Sequence, residues 1–146
     1  MQIVVGSDHA AFEAKEALKA FLANLKHEPI DVGTLSSERC DYSDFAKLGV
    51  AAVLERNCLG ILLCGSGLGI SMAANRYAGI RAAVCRSVLE AQLSRQHNDA
   101  NILCLGSRIN TQGEMEVITK AWLDASFEGG RHLDRIAKFD KWGEKL

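Results

Sequence analysis

The sequence predicts a doubly wound, Rossmann-like α/β domain, which is a three-layer α/β/α sandwich around a five-stranded parallel sheet. Two observations predict this fold class. Short runs rich in β-branched residues and leucine alternate with longer segments of helical period, as in strands joined by covering helices. The short runs also lack an alternating polar face, which indicates strands buried on both sides of a parallel sheet.

Each predicted strand is an apolar run of about strand length. In chain order the runs are QIVVG at 2–6, EPIDVG at 28–33, GILLCG at 60–65, IRAAVC at 80–85 and ANILCLG at 100–106. Because helical segments separate these runs, crossover connections are expected to place helices on both faces of the sheet.

The segments between the runs carry apolar residues at helical spacing. The clearest stripes are Phe12, Leu18, Leu22 and Leu25 within 11–25, and Phe45, Leu48, Ala52 and Val53 within 43–57. Two further helices are predicted over 111–127 and 130–142. No repeat, low-complexity tract or linker divides the 146 residues, so a single domain over 1–146 is predicted.

Charge and composition exclude several classes of protein. The 17 basic and 18 acidic residues nearly cancel, so no bulk field attracts nucleic acid or an anionic membrane. The first residues, MQIVVGSDHA, lack the basic and apolar stretches of a targeting peptide, and no apolar run is long enough to span a bilayer. A cytoplasmic protein without nucleic-acid or membrane partners is therefore expected.

The cysteines and histidines lack the spacing of a metal site. The five cysteines show neither C-x-x-C nor zinc-finger spacing, which argues against a disulfide framework or structural zinc. Most of them are expected to be small buried hydrophobic residues. No two of the four histidines are three or four residues apart, so no metal is predicted.

Polar residues collect where predicted strands end. Residues 7–9 follow the first strand, 64–67 follow the third and 106–108 follow the fifth. Ligands of open α/β sheets bind beyond the carboxyl ends of the strands, so these loops are expected to share one site. Another polar cluster, RQHND at 95–99, lies at the end of the fourth helix and is predicted to serve a neighbouring site.

The glycine-rich turn CGSGLG at 64–69 is the strongest local signal. It is not a dinucleotide fingerprint, because it reads G-x-G-x-G, follows the third strand and lacks the acidic residue that would hold a ribose. Its unobstructed backbone N–H groups at a helix N-terminus suit a developing oxyanion and favour a thiolate at Cys64 as base or nucleophile. The alternative is a buried cysteine beside glycines that permit close packing.

Arg131 and Arg135 are four residues apart, so on a helix they share a face and suit one phosphate. The alternative is a salt-bridged helix face, with Glu128 and Asp134 as partners. The residue types leave both interpretations open.

Six motifs taken in order resemble the ribose-5-phosphate isomerase B family over nearly the whole chain. They are GSDHA at 6–10, DYSDFA at 41–46, CGSGLGISMAAN at 64–75, GIRAAVC at 79–85, RQHNDANILCLGSR at 95–108 and FEGGRHLDR at 127–135. The wider family includes isomerases of galactose, allose and four-carbon sugar phosphates. The resemblance implies an aldose–ketose isomerase that uses no metal or organic cofactor.

The resemblance also implies roles for individual residues. Cys64 matches the base that moves a proton between C2 and C1 through an enediolate, and Ser66 keeps the hydroxyl that orients base or substrate. His97 matches the residue that opens the furanose ring, although some relatives give that role to His9. The glycines that match the turn stabilising the enediolate oxygen are Gly65, Gly67 and Gly69. The other matching positions are Asp8, His9, Tyr42, Ser71 and Asn98 for the sugar, and Arg108, Arg131 and Arg135 for the phosphate.

Departures from the family pattern bear on the substrate. Ile70 stands where one branch of the family has a glutamate base, so the cysteine branch is implied. Residues 86–89 and the tail after Arg135 are less typical, which leaves the sugar length open. The predicted reaction interconverts ribose 5-phosphate and ribulose 5-phosphate, as in the pentose phosphate pathway. The alternatives are allose 6-phosphate, galactose 6-phosphate or a four-carbon sugar phosphate as substrate, and a non-catalytic sugar-phosphate sensor.

The resemblance further implies a homodimer or homotetramer in which each active site is built from two chains. This suits the position of the 95–99 cluster away from the predicted strand ends. The C-terminal helix and tail, about 130–146, are predicted to pack on a partner subunit.

Overall fold

The computed structural model describes residues 1–146 and confirms the predicted fold class. The strands are β1 Gln2–Ser7, β2 Glu28–Asp31, β3 Leu59–Cys64, β4 Ala82–Val84 and β5 Ile102–Gly106. All pairings are parallel, in the spatial order β2-β1-β3-β5-β4. The chain winds outward from β1 to β2 and then crosses back to β3, so the sheet is doubly wound.

The chain also forms six α-helices. They are α1 Phe12–Asn24, α2 Tyr42–Arg56, α3 Leu68–Ala74, α4 Val88–Asn98, α5 Gln112–Asp124 and α6 Leu133–Ala137. Side-chain caps define two of the starts: the Ser87 hydroxyl accepts from the Glu90 backbone N–H before α4, and Thr111 and Glu114 form a capping box at α5. None of these helices has the length and apolar composition needed to cross a bilayer.

The core lies on both faces of the sheet. Ile3 and Val5 of β1 point into a cluster with residues of α1, α4 and α5, whereas Val4 points into a second cluster with residues of α2 and α3. Full burial of each such side chain contributes about 1.5–3 kcal/mol. The alternation along β1 therefore holds helices on both sides and leaves the loops at the strand ends free for a ligand.

The predicted helix over 130–142 is wrong in length. Gly129 and Gly130 have φ of 65° and 56°, a left-handed conformation that does not continue a right-handed helix. A 3-10 turn over Gly130–His132 follows, and α6 covers only Leu133–Ala137. The predicted helix over 111–127 also ends earlier, because Ala125 is already extended.

The tail after α6 returns to the chain's own surface. The Gly79 backbone N–H donates to the Asp140 carbonyl, and the Ala78 N–H donates to the Glu144 carbonyl. Arg81 forms an ion pair with the Asp140 carboxylate. Trp142 stays 72% exposed, so packing of this tail on a partner subunit stays a prediction.

Candidate active site

The turn between β3 and α3 directs a backbone N–H group at the Cys64 sulfur. Gly67 adopts the left-handed conformation with φ 77°, and its N–H donates to Cys64 Sγ at 3.2 Å. A side chain at Gly67 would meet the Leu105 carbonyl carbon at 3.1 Å. Glycine is therefore needed here both for the turn and for the approach to β5.

The loop after β5 holds this turn from the other side. Cys64 pairs with Gly106 in the sheet, and a Cβ on Gly106 would lie 2.6 Å from the Ser66 backbone. The Ser107 N–H donates to the Cys64 carbonyl at 3.0 Å, and the Arg108 N–H donates to the Gly65 carbonyl at 2.9 Å. These contacts fix the position of the thiol relative to Arg108.

Three backbone donors of the turn have no acceptor within the chain. The N–H groups of Gly65, Ser66 and Gly69 make no hydrogen bond to protein, while that of Leu68 is taken by the Ser66 hydroxyl. All three residues line a cavity of about 380 Å³ that also contains Cys64. Unpaired N–H groups beside a thiol form an arrangement that stabilises an oxyanion.

This cavity brings together eight of the residues predicted for the site. They are Asp8, His9, Tyr42, Cys64, Gly65, Ser66, Gly69 and Arg108. Ala10 and Ile109 complete the wall, and sequence reasoning did not single them out. Ile109 is half exposed, and its position directly after Arg108 is the sequence signal that could have identified it.

The first strand-to-helix loop supplies two polar groups. The Asp8 carboxylate accepts from the Ala10 N–H at 3.0 Å and is only 6% exposed. His9 Nδ1 lies 3.0 Å from the Cys40 carbonyl and 3.2 Å from the Cys40 N–H, and its tautomer decides which bond forms. Either bond engages Nδ1 and leaves the other ring nitrogen of His9 for a ligand.

Glycines in the turn let two larger side chains close the cavity. A Cβ on Gly69 would lie 2.7 Å from Tyr42 Cζ, and a Cβ on Gly65 would lie 3.3 Å from Arg108 Cδ. The aromatic ring and the guanidinium therefore lie directly against the backbone of the turn.

Two predicted site residues, one in the turn and one in α3, do not line the cavity. Gly67 is buried, and Ser71 is 7% exposed with its hydroxyl donating to the Leu68 carbonyl at 2.8 Å. Ile70 is fully buried in the core beside α2, so no acidic side chain from α3 reaches Cys64. Among the cavity-lining residues, Asp8 supplies the single carboxylate.

The remaining predicted residues lie in a second cluster. The imidazole rings of His97 and His132 stack with centroids 4.5 Å apart and planes 12° apart. Glu128 Oε2 lies 3.8 Å from His97 Nε2 and 3.9 Å from His132 Nε2. The predicted residues Asn98 and Arg131 adjoin the two histidines in sequence, Arg135 follows His132 by three residues, and all three are exposed.

The second cluster lies at the opposite edge of the sheet from Cys64. Helix α4 runs from the end of β4 back to the start of β5, so His97, near its last residue, lies at the amino ends of the strands. A cavity of about 700 Å³ at that edge is lined by Gln2 and Leu59, which begin β1 and β3, together with Asp99. One chain therefore does not bring His97 to its own Cys64.

The charges of the second cluster suit an anion. Neither Arg131 nor Arg135 forms an ion pair with a carboxylate, so the salt-bridged alternative is not what the structure contains. Burial lowers the pKa of His132, and the nearby charges of His97 and Arg131 lower it further.

The distances alone would also admit a metal ion. The potential ligand atoms of His97, Glu128 and His132 lie within 4.8 Å of one another. The stacked rings hold their lone pairs in nearly parallel planes, so these lone pairs do not converge on one ion. The adjoining arginines also repel a cation. The cluster therefore fits a metal poorly.

The other cysteines differ from Cys64 in their surroundings. Burial raises the pKa of Cys85 to about 11 and that of Cys104 well above its usual value. Burial also raises the pKa of the half-buried Cys58. These thiols stay protonated at neutral pH, and Cys85 and Cys104 confirm the expectation of small buried hydrophobic residues.

Comparisons with known proteins agree over nearly the whole chain. Residues 3–139 match the family model described as Ribose/Galactose Isomerase. The chain is 48% identical over 136 residues to ribose-5-phosphate isomerase B of Escherichia coli, covering 92% of this chain and 91% of that protein. It superposes on the solved structure of Clostridium thermocellum ribose-5-phosphate isomerase B with a TM-score of 0.94 at 46% identity, covering 96% and 95% of the two chains. The Mycoplasma genitalium ribose-5-phosphate isomerase B, solved with bound ribulose-5-phosphate, superposes with a TM-score of 0.91 at 40% identity, covering 95% and 93%.

Proposed function

Because the chain belongs to the ribose/galactose isomerase family, we propose that it interconverts ribose 5-phosphate and ribulose 5-phosphate. Membership of this family makes the protein an aldose–ketose isomerase of a phosphorylated sugar. The choice of the pentose rests on the relatives named as ribose-5-phosphate isomerases and on the one solved with ribulose-5-phosphate.

Cys64 is the proposed base. The observation that carries this assignment is the hydrogen bond from the Gly67 N–H to Cys64 Sγ at 3.2 Å, inside a cavity with no other nucleophilic sulfur. A donor aimed at the sulfur stabilises negative charge on it, which a base needs. In the proposed step the thiolate takes the proton from C2 of the open-chain aldose and returns it to C1.

The enediolate intermediate places negative charge on the oxygen at C1 or C2. The unpaired N–H groups of Gly65, Ser66 and Gly69 are the proposed donors to that oxygen. The sequence had assigned this role to Gly65, Gly67 and Gly69, but the Gly67 N–H is already engaged by the sulfur. Preorganised donors of this kind contribute about 3–4 kcal/mol each to the transition state.

A second copy of the chain is proposed to complete each site. His97, Asn98, Arg131 and Arg135 would come from the partner, because within one chain they lie at the far edge of the sheet from Cys64. Arg131 and Arg135 have no ion-pair partner within the chain, so both guanidinium groups are free to bind the substrate phosphate. Arg108 beside Gly65 would approach the same phosphate from the Cys64 side.

The experiment compares kcat/KM on ribose 5-phosphate, allose 6-phosphate, galactose 6-phosphate and a four-carbon aldose phosphate, for the wild type and Cys64→Ala. We expect preference for ribose 5-phosphate and a loss of about a hundredfold or more in Cys64→Ala. Cys58→Ala is the matched control, since it removes a half-buried thiol outside the cavity. Near-normal turnover by Cys64→Ala would refute the proposed base, and preference for another sugar would refute the pentose assignment.

A further inference from the structure

His132 is a buried partner of the ring that is proposed to open the sugar. Its ring is stacked on that of His97 at 4.5 Å, and His132 is 6% exposed whereas the His97 side chain is 35% exposed. A half-exposed histidine in the last turn of a helix has several rotamers open to it. Contact with a fixed flat ring removes most of them and leaves one plane for the His97 imidazole.

The backbone around His132 is tied to α4. The Glu128 N–H donates to the Gln96 carbonyl at 3.0 Å, and the His132 N–H donates to the Gly129 carbonyl at 3.1 Å. A backbone hydrogen bond therefore ties the segment 128–132 to Gln96, the residue that precedes His97. These backbone hydrogen bonds therefore help to fix the position of the His132 ring relative to α4.

Glu128 faces both rings. Its Oε2 is almost equidistant from the two Nε2 atoms, at 3.8 Å and 3.9 Å, so its negative charge faces both rings. The other charged groups that act on His132 are Arg131 and Arg135, which together with burial keep its pKa low. The lowered pKa of His132 disfavours a second positive charge beside His97.

We propose that His132, with Glu128, is a positioning residue that fixes the plane of the His97 imidazole for opening of the sugar ring. The inference rests on the proposed role of His97. In that step the C1–O4 bond breaks and its electron pair goes to O4, which gains a proton. O1 loses its proton as the C1 carbonyl forms, so a single correctly oriented imidazole carries the proton from O1 to O4.

Ring opening and proton abstraction can be measured separately. Ribulose 5-phosphate has no free hydroxyl that can close a furanose ring, because its O5 carries the phosphate. Cys64 therefore exchanges the C1 hydrogen of this ketose with solvent deuterium without any ring step. Isomerisation that starts from ribose 5-phosphate, in contrast, begins with the furanose ring and so depends on ring opening before the C2 proton can be taken. The ratio of isomerisation to deuterium exchange reports on His97 and its positioning alone.

The experiment follows both rates in D₂O for the wild type, His132→Ala, His132→Phe, Glu128→Gln, His97→Ala and Cys64→Ala. We expect His132→Ala to lose about a hundredfold in isomerisation while it retains exchange. His132→Phe, which keeps a flat ring against His97, is expected to recover most of the isomerisation. Glu128→Gln, which removes the negative charge that faces both rings, is expected to lower the isomerisation rate while it retains exchange.

The outcomes distinguish this inference from the proposed function. If His97→Ala loses exchange together with isomerisation, or loses neither, the ring-opening role of His97 is wrong. If His97→Ala loses isomerisation alone but His132→Ala matches the wild type, only the positioning role is wrong. An equal fall of both rates in His132→Ala, with no recovery in His132→Phe, would show a general structural role and overturn the inference.

Discussion

The backbone N–H of Gly67 donates a hydrogen bond to Cys64 Sγ at 3.2 Å, so the turn itself contacts the atom proposed to act as base. The strand ends at the sulfur, the glycine turns the chain, and α3 starts one residue later. The same turn leaves the N–H groups of Gly65, Ser66 and Gly69 unpaired beside the thiol. A proposed base and its oxyanion donors thus come from six consecutive residues, 64–69.

Replacing Gly67 should impair both stability and activity. Gly67→Ala forces a side chain into the left-handed region, at a cost of about 1–2 kcal/mol, and presses it against the Leu105 carbonyl carbon at 3.1 Å. Relief of that contact moves the N–H away from Cys64 Sγ, so we expect kcat/KM to fall about tenfold or more. Urea unfolding and steady-state kinetics measure the two effects.

Gly113→Ala is the matched control for this substitution. Gly113 is in α5, and a Cβ there would have no atom within 4 Å. This variant should keep wild-type kinetics and gain up to about 1 kcal/mol of stability. Wild-type kinetics in Gly67→Ala would contradict the proposed importance of its N–H.

Removing Arg131 or Arg135 should weaken substrate binding without weakening the fold. Each guanidinium is exposed and has no ion-pair partner, so its loss leaves no buried charge unpaired. A charged hydrogen bond to phosphate contributes about 1.5–3 kcal/mol, so kcat/KM should fall about tenfold to a hundredfold in each alanine variant. Arg56→Ala removes another exposed arginine and serves as the control. A clear fall in melting temperature alongside the fall in kcat/KM would indicate a structural role instead.

Acid should destabilise the chain partly through His132. Because burial and neighbouring charge lower the pKa of His132 in the folded state, the unfolded chain binds a proton more readily. The free energy of unfolding therefore falls as pH drops below about 6.5, the usual value for histidine. His132→Phe should lose less stability than the wild type between about pH 8 and about pH 5.5, as measured by urea unfolding.

His27→Gln provides the comparison for the acid experiment, since His27 lies in the loop before β2, away from the second cluster. Its curve shows how the loss of a histidine outside the second cluster affects acid stability. Parallel curves for His132→Phe and the wild type would show that His132 does not carry the expected acid sensitivity.

The sheet and the Cys64 half of the site could be predicted from the sequence because both depend on local patterns. Apolar runs such as GILLCG predict buried strands, and the parallel arrangement then brings residues 7–9, 64–67 and 106–108 to one edge. The C-terminal helix was harder to predict, because its helical pattern over 130–142 concealed the left-handed backbone of Gly129 and Gly130.

The partnership of His97 with His132 could not be predicted from spacing. The two residues are 35 positions apart and meet only because the segment after α5 returns to the end of α4. Likewise, the sequence did not show that Gly67 donates to the sulfur while Ser66 keeps a free N–H, since turn geometry decides which donor is engaged. Long-range contacts of this kind need the packed fold.

The most direct test of the shared site mixes two inactive chains. Cys64→Ala and His97→Ala are each expected to lack turnover as separate oligomers. Refolded together in equal amounts, half of the proposed dimers pair one chain of each kind, and each of these has one site with both Cys64 and His97 intact. We expect recovery of about a quarter of the wild-type activity on ribose 5-phosphate. No activity above that of the separate variants would contradict a site in which Cys64 of one chain works with His97 of another.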